Sequence, residues 1–120
     1  MPFSDTPNHQ DSVDRFWANY LFILKNNSIP EKSTPWYRKH VEAYIKASRG
    51  APLSSHTGED IDRYLNAKGR LPGLKDWQFR QIADALRLLF QELIRLQWSM
   101  SYDWFQWRAF ARELEQTIQH

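Results

Sequence analysis

Ser54, Ser55 and His56 stand side by side, and a hydroxyl next to an imidazole is the beginning of a nucleophile–base pair. Such a pair acts only when nucleophile and base converge in space and a third group orients the base, and nothing in this sequence marks that third group. The stretch reads as a loop. Glu59, Asp60 and Asp62 form an acidic group. Their place at the start of a predicted helix, where the helix dipole favours negative charge, accounts for them better than a metal does. His9, His40, His56 and His120 show no ligand spacing, and the chain has no cysteine, so neither a metal site nor a disulfide framework is expected. Gly69, Pro72 and Gly73 do not make a phosphate loop. No cofactor is expected, and an enzyme acting by itself is not the reading.

What remains is cationic chemistry. Net charge is only +2, but it is unevenly spread. Residues 35–49 carry Arg38, Lys39, Lys46 and Arg49 against Glu42 alone. A smaller excess lies on residues 75–97, with Lys75, Arg80, Arg87 and Arg95 against Asp76, Asp84 and Glu92.

The element that must position these side chains is residues 74–97. Phe79, Ile82, Leu86, Leu89, Leu93 and Leu96 step by three and four, one face of an α-helix. Ala83 and Phe90 widen that stripe, and the spacing predicts burial of Phe79, Ile82, Leu86, Leu89, Phe90 and Leu93. Asp76 is the expected N-cap, and Arg80, Arg87, Gln91 and Arg95 lie on the other side.

Three helices are expected before it. The first starts at Asp11 or Ser12 and runs to about Asn26, with Val13, Phe16, Trp17, Tyr20, Leu21 and Leu24 inward. The second is opened by Thr34 as N-cap with Pro35 at the first helical position, and buries Tyr37, Val41, Tyr44, Ile45 and Ser48. Gly50 and Pro52 end it. The third starts at a capping box of Thr57 with Asp60 and buries Ile61, Tyr64 and Leu65. Residues 98–102 read as a break, after which Asp103 caps a last helix to about Gln116 with Trp104, Trp107, Phe110, Ala111 and Leu114 on one side. There are no period-two strand patterns and no internal repeats.

The expectation is an all-α fold in three parts. Residues 1–10 form a flexible arm, 11–102 a helical domain, and 103–120 a C-terminal helix. At 120 residues the chain supports one modest core, and the 15% of aromatic residues are spread over every predicted helix. No apolar run approaches the roughly 20 residues of a membrane span, and the polar first residues do not read as a signal peptide. A soluble cytoplasmic protein is expected.

Three stretches resemble one family. Trp77-Gln78-Phe79-Arg80-Gln81-Ile82-Ala83-Asp84-Ala85-Leu86-Arg87-Leu88-Leu89-Phe90 is similar to the helix of integron integrases in which an Arg-Gln pair is followed by Ala-Leu and an aromatic. Ser33-Thr34-Pro35-Trp36-Tyr37-Arg38-Lys39-His40-Val41-Glu42-Ala43-Tyr44-Ile45 resembles the family's second helix. Pro52-Leu53, Thr57, Asp60-Ile61 and Tyr64-Leu65 resemble its third. Together they resemble the N-terminal core-binding, SAM-like domain of tyrosine recombinases, the integrases of phages and integrons, over roughly residues 13–104. Where the family opens the long helix with Ser or Thr, this chain has Trp77 and Gln78.

The resemblance implies a four-helix SAM-like bundle plus a C-terminal fifth helix. It implies a domain that clamps duplex DNA in the bacterial cytoplasm, at the nucleoid when bound. Catalysis would belong to a C-terminal domain of the same protein, so no residue here inherits a catalytic role. Other recombinase protomers are the further partners. The helices that face DNA in the family are the second and fourth. The expected contacts are therefore Ser33, Thr34, Arg38 and Lys39 on one, and Lys75, Gln78, Arg80, Gln81 and Arg87 on the other. Lys and Arg suit phosphates, while Gln78, Arg80 and Gln81 can make bidentate contacts to base edges. The N-terminal halves of the two helices are expected to form one surface. The competing reading is a helical protein–protein adaptor that binds no DNA and docks through exposed Leu88, Trp104 and Trp107.

Overall fold

A computed structural model describes residues 9–108, and every regular element among them is helical. No helix among these residues is long and apolar enough to cross a membrane.

Helix α1 spans His9–Asn26. It begins ahead of the expected start, inside the stretch read as an arm, because Gln10 donates to Asp14 at 2.9 Å across the first turn. Trp17, Tyr20 and Leu24 are buried, and the Tyr20 hydroxyl donates to the Ala85 carbonyl at 2.8 Å. Leu21, expected inside, is 39% exposed, because it lies at the edge of a stripe already filled by its neighbours. The helix closes with Ser28 in the left-handed region and Ile29 N–H bonded to the Leu24 carbonyl at 3.0 Å.

A single 3₁₀ turn, Glu31–Ser33, leads into α2, Thr34–Ala47. Thr34 is therefore not the cap. The preceding turn has already given it helical backbone angles, and its hydroxyl donates back to the Glu31 carbonyl at 2.9 Å. Tyr37, Val41 and Tyr44 are buried and Ile45 is half-buried. Ser48 turns its hydroxyl onto the Tyr44 carbonyl at 2.9 Å. Helix α3 spans Gly58–Gly69, and the Asp60 carboxylate accepts the Thr57 N–H at 2.7 Å, as the capping pattern implies. A Cβ at Gly58 would lie 2.9 Å from the Tyr102 ring, so glycine there lets Tyr102 reach α3, where its hydroxyl donates to Asp62.

The long helix is real but not uninterrupted. Helix α4 spans Asp76–Leu88 and widens into a π-helical segment, Leu89–Ile94. Asp76 is the first helical residue rather than the cap. The Lys75 N–H is taken by the Gln78 carboxamide oxygen at 2.9 Å, and Asp76 pairs with Arg80 instead. The helix stops at Ile94, three residues short of the expected end. Arg95 adopts the left-handed conformation, and Leu96 N–H bonds the Phe90 carbonyl at 3.2 Å.

The widened turn displaces backbone groups that need other partners. The stretch expected as a break supplies them. It forms a short helix α5, Gln97–Ser101, whose fully buried Ser99 hydroxyl lies 3.0 Å from the Phe90 carbonyl and 2.5 Å from that of Leu96. The Ser99 carbonyl in turn accepts from Gln91 and from the Trp104 indole, both at 3.0 Å.

Phe79, Ile82, Leu86, Leu89 and Phe90 are buried as their spacing implied, and Leu93 packs against the core half-buried. The core also takes in Leu88, Trp104 and Trp107. This corrects the adaptor reading, whose docking residues are these three. The chain folds back after α5, so that the Trp107 ring packs on Phe79 at 6.0 Å and Trp104 stacks on Trp98 at 6.3 Å. The core thus runs past residue 102, the expected edge of the domain. Phe110, Ala111 and Leu114 lie outside the described residues.

Candidate nucleic-acid interface

Trp77, Arg80, Asp84, Arg87 and Gln91 step by three, four, three and four, the same rhythm as the core stripe but on the opposite side of the long helix. The returning chain brings Phe105 and Arg108 beside them. Between the two lies an open groove of about 540 Å³, lined by this stripe from Trp77 to Arg87 together with Gln81, Ala83, Tyr37, Trp104 and Trp107. Trp77 is 58% exposed and Phe105 67%, and the Arg108 guanidinium lies 4.9 Å above the Phe105 ring.

The polar side chains of the groove are held in place. Tyr37 donates to one Asp84 oxygen at 2.7 Å. The other oxygen receives Arg87 through Nε at 3.1 Å and Nη2 at 2.8 Å, and Arg87 Nη1 reaches Gln91 at 3.3 Å. Burial raises the Tyr37 hydroxyl pKa well above its ordinary range, and the bond to Asp84 raises it further, so Tyr37 stays a donor. The Arg87 guanidinium is thus set by a two-step chain anchored on α2. Arg80 is set the same way by Asp76, whose side chain is only 10% exposed. Gln81 Oε1 lies 2.8 Å from His40 Nε2. Burial lowers the His40 pKa, partly offset by that bond.

Of the nine residues expected to face DNA, the structure gathers Arg80, Gln81 and Arg87 in the groove. Gln78 and exposed Lys75 stand one turn away at the start of α4, with the Gln78 oxygen committed to the Lys75 backbone. Arg38 pairs with Glu42 at 3.5 Å and lies 4.6 Å over the Trp17 ring, toward α1. Exposed Lys39 sits 4.8 Å over Trp36, itself 54% exposed. Ser33, in the turn before α2, and Thr34, the first residue of α2, are half-buried and line no part of the groove. The contacts joining α2 to the long helix run from His40–Gln81 and Tyr37–Asp84 to Tyr44–Phe90. Helix α2 therefore meets the middle and far half of the long helix, not its N-terminal turn.

Trp77, Phe105 and Arg108 are the groove residues that spacing alone did not nominate. Trp77 was legible, being one turn before Arg80 on the same stripe. Phe105 and Arg108 reach the groove only because the chain folds back.

Ser54 and Ser55 lie in a single 3₁₀ turn, Leu53–Ser55, where a loop was expected, and His56 follows it in extended backbone. Ser55 donates to the Pro52 carbonyl at 2.7 Å, while buried His56 places Nδ1 2.5 Å from the Tyr44 hydroxyl. It borders a second pocket of about 470 Å³ between α2 and α3. Asp60 there has its pKa lowered, first by the Thr57 N–H and then by Arg63. No family model, no curated protein and no solved structure matches this chain.

Proposed function

We propose that this chain is the DNA-binding, SAM-like core-binding domain of a site-specific tyrosine recombinase of the integrase type. It lays the outer face of its long helix on duplex DNA, while a catalytic domain of the same protein carries out strand exchange. The observation that carries the reading is the groove, where Arg80, Arg87 and Arg108 converge with Gln81 and two exposed aromatic rings. Guanidinium groups bind phosphate through paired N–H donors. Arg87 uses three of its five N–H groups on Asp84 and Gln91 and keeps others for a ligand. Exposed Lys75, at the start of α4 one turn from the groove, adds a further positive charge near it. The likeness of residues 77–90 to the family's long helix supports the same assignment. The setting is the bacterial cytoplasm, and neighbouring protomers on the same DNA are the further partners.

A salt titration with a short duplex tests this. Affinity should fall steeply with salt, and replacing Arg80, Arg87 and Arg108 together by Ala should flatten the log–log slope by about one unit per lost phosphate contact. Unchanged affinity in that triple variant, with the fold intact, would move the interface to another face. Salt-insensitive binding of a protein partner through Trp77 and Phe105 would favour the adaptor reading in a new form.

A further inference from the structure

We infer that Gln91 is a positioning residue for the DNA face: it ties the Arg87 guanidinium to α5, so that Arg87 meets phosphate already oriented. This rests on the DNA reading above and adds a residue that works behind the contacts. Both ends of the Gln91 amide are committed, and the two partners allow one arrangement. Arg87 Nη1 lies 3.3 Å from Oε1, and Nε2 lies 3.0 Å from the Ser99 carbonyl oxygen. A guanidinium only donates and a carbonyl only accepts, so turning the amide over would set donor against donor and acceptor against acceptor.

The far end of this tie is firm. Ser99 is fully buried, and its hydroxyl lies 3.0 Å from the Phe90 carbonyl. Its own carbonyl also takes the Trp104 indole N–H at 3.0 Å. One carbonyl therefore holds Trp104 directly and Arg87 through Gln91, and both residues line the groove. Asp84 alone would hold Arg87 less completely. Nε and Nη2 both reach the same Asp84 oxygen, and two bonds that meet at one atom make a hinge. The third bond, from Nη1 to a different acceptor, stops the swing. One N–H on each Nη stays free for a ligand. A long side chain frozen only on binding costs affinity, and one frozen beforehand does not. Gln91 itself touches no DNA in this scheme.

Duplex binding by the full chain tests the inference. Gln91→Met keeps the length of the side chain and removes both bonds. It should weaken binding of a short duplex by roughly 3- to 10-fold, the cost of ordering one long side chain. The log–log salt slope should stay as in wild type, because no phosphate contact is lost. In an Arg87→Ala background the same change should do nothing more, while with Arg80→Ala, about three turns back along the helix, the two losses should add. Unchanged affinity in Gln91→Met, a flattened slope, or a loss undiminished in the Arg87→Ala background overturns the inference and leaves DNA binding standing. A second reading needs no variant. In ¹⁵N NMR of the free wild-type chain, rotation of the Arg87 guanidinium should be slow enough to give separate Nη signals; averaged signals overturn the inference. Absence of any salt-sensitive duplex binding overturns the DNA reading, and this inference with it.

Discussion

The two sides of the long helix carry the same spacing and are held by different physics. The inner stripe, from Phe79 to Phe90, is sealed against α1, α2, α3 and the returning tryptophans. Its stability comes from apolar area withdrawn from water, roughly 25 cal/mol per Å², with little regard to orientation. The outer stripe, from Trp77 to Gln91, withdraws little area. Its polar members are tied in sequence instead: Asp76 to Arg80, Asp84 to Arg87 and to Tyr37, Arg87 to Gln91. A partly exposed pair such as Asp84–Arg87 contributes roughly 0–1 kcal/mol, but these ties fix direction. One face decides whether the chain folds, and the other decides what it presents.

The largest test of that division is Leu86→Ala, at a fully buried position. It should cost about 2–5 kcal/mol in urea unfolding. Arg87→Ala, on the outer face, should cost less than about 1 kcal/mol because it and Asp84 both stay partly exposed to water. Comparable losses in the two variants would erase the distinction.

Ser99→Ala comes next. It removes the hydroxyl that serves the Phe90 and Leu96 carbonyls where the helix has widened. Both carbonyls keep a backbone N–H, from Leu96 and from residue 99, so losing the hydroxyl bond should cost about 0.5–1.5 kcal/mol. Amide exchange should accelerate around residues 89–94 while α2 and α3 stay protected; uniform acceleration would mean that the π segment has no stability of its own to lose.

The smallest expected effect is a shallow pH dependence. Burial holds the His40 pKa below its ordinary value of about 6.5. The unfolded chain then takes up the proton first. The His40 contribution is whole above about pH 6.5 and is lost as pH falls through the folded-state pKa. His40→Gln should flatten stability against pH just below 6.5, read from denaturation midpoints across that window. An unaltered profile would mean that His40 titrates alike in both states.

Much of the inner face was legible in the chain. A three–four rhythm of Phe, Ile and Leu is a local property, and burial follows wherever such a stripe finds any apolar partner. Thr57 with Asp60 was legible for the same reason, since both halves of the cap lie within one turn. The end of the long helix was not. Leu93 and Leu96 continue the rhythm, yet the helix widens at Leu89 and stops at Ile94, because Ser99, Gln91 and Trp104 close a hydrogen-bond network that spacing cannot announce. The tryptophans were left open by their own stretch, whose apolar side suits packing on the bundle or docking elsewhere, and the fold-back onto Phe79 and Trp98 buries Trp104 and Trp107.

On the outer face the sequence alone determined that Arg80, Gln81 and Arg87 lie on the solvent side of one helix, because helical periodicity links residues within two turns of each other. It also carried the resemblance from which the DNA reading starts. Only the tertiary structure decided that Arg108 and Phe105 complete the groove, that Tyr37 anchors Asp84 and that His40 meets Gln81. Each of these joins residues at least 18 positions apart in the chain. Which side chains meet across such a distance is set by how the elements pack, and no local pattern encodes it.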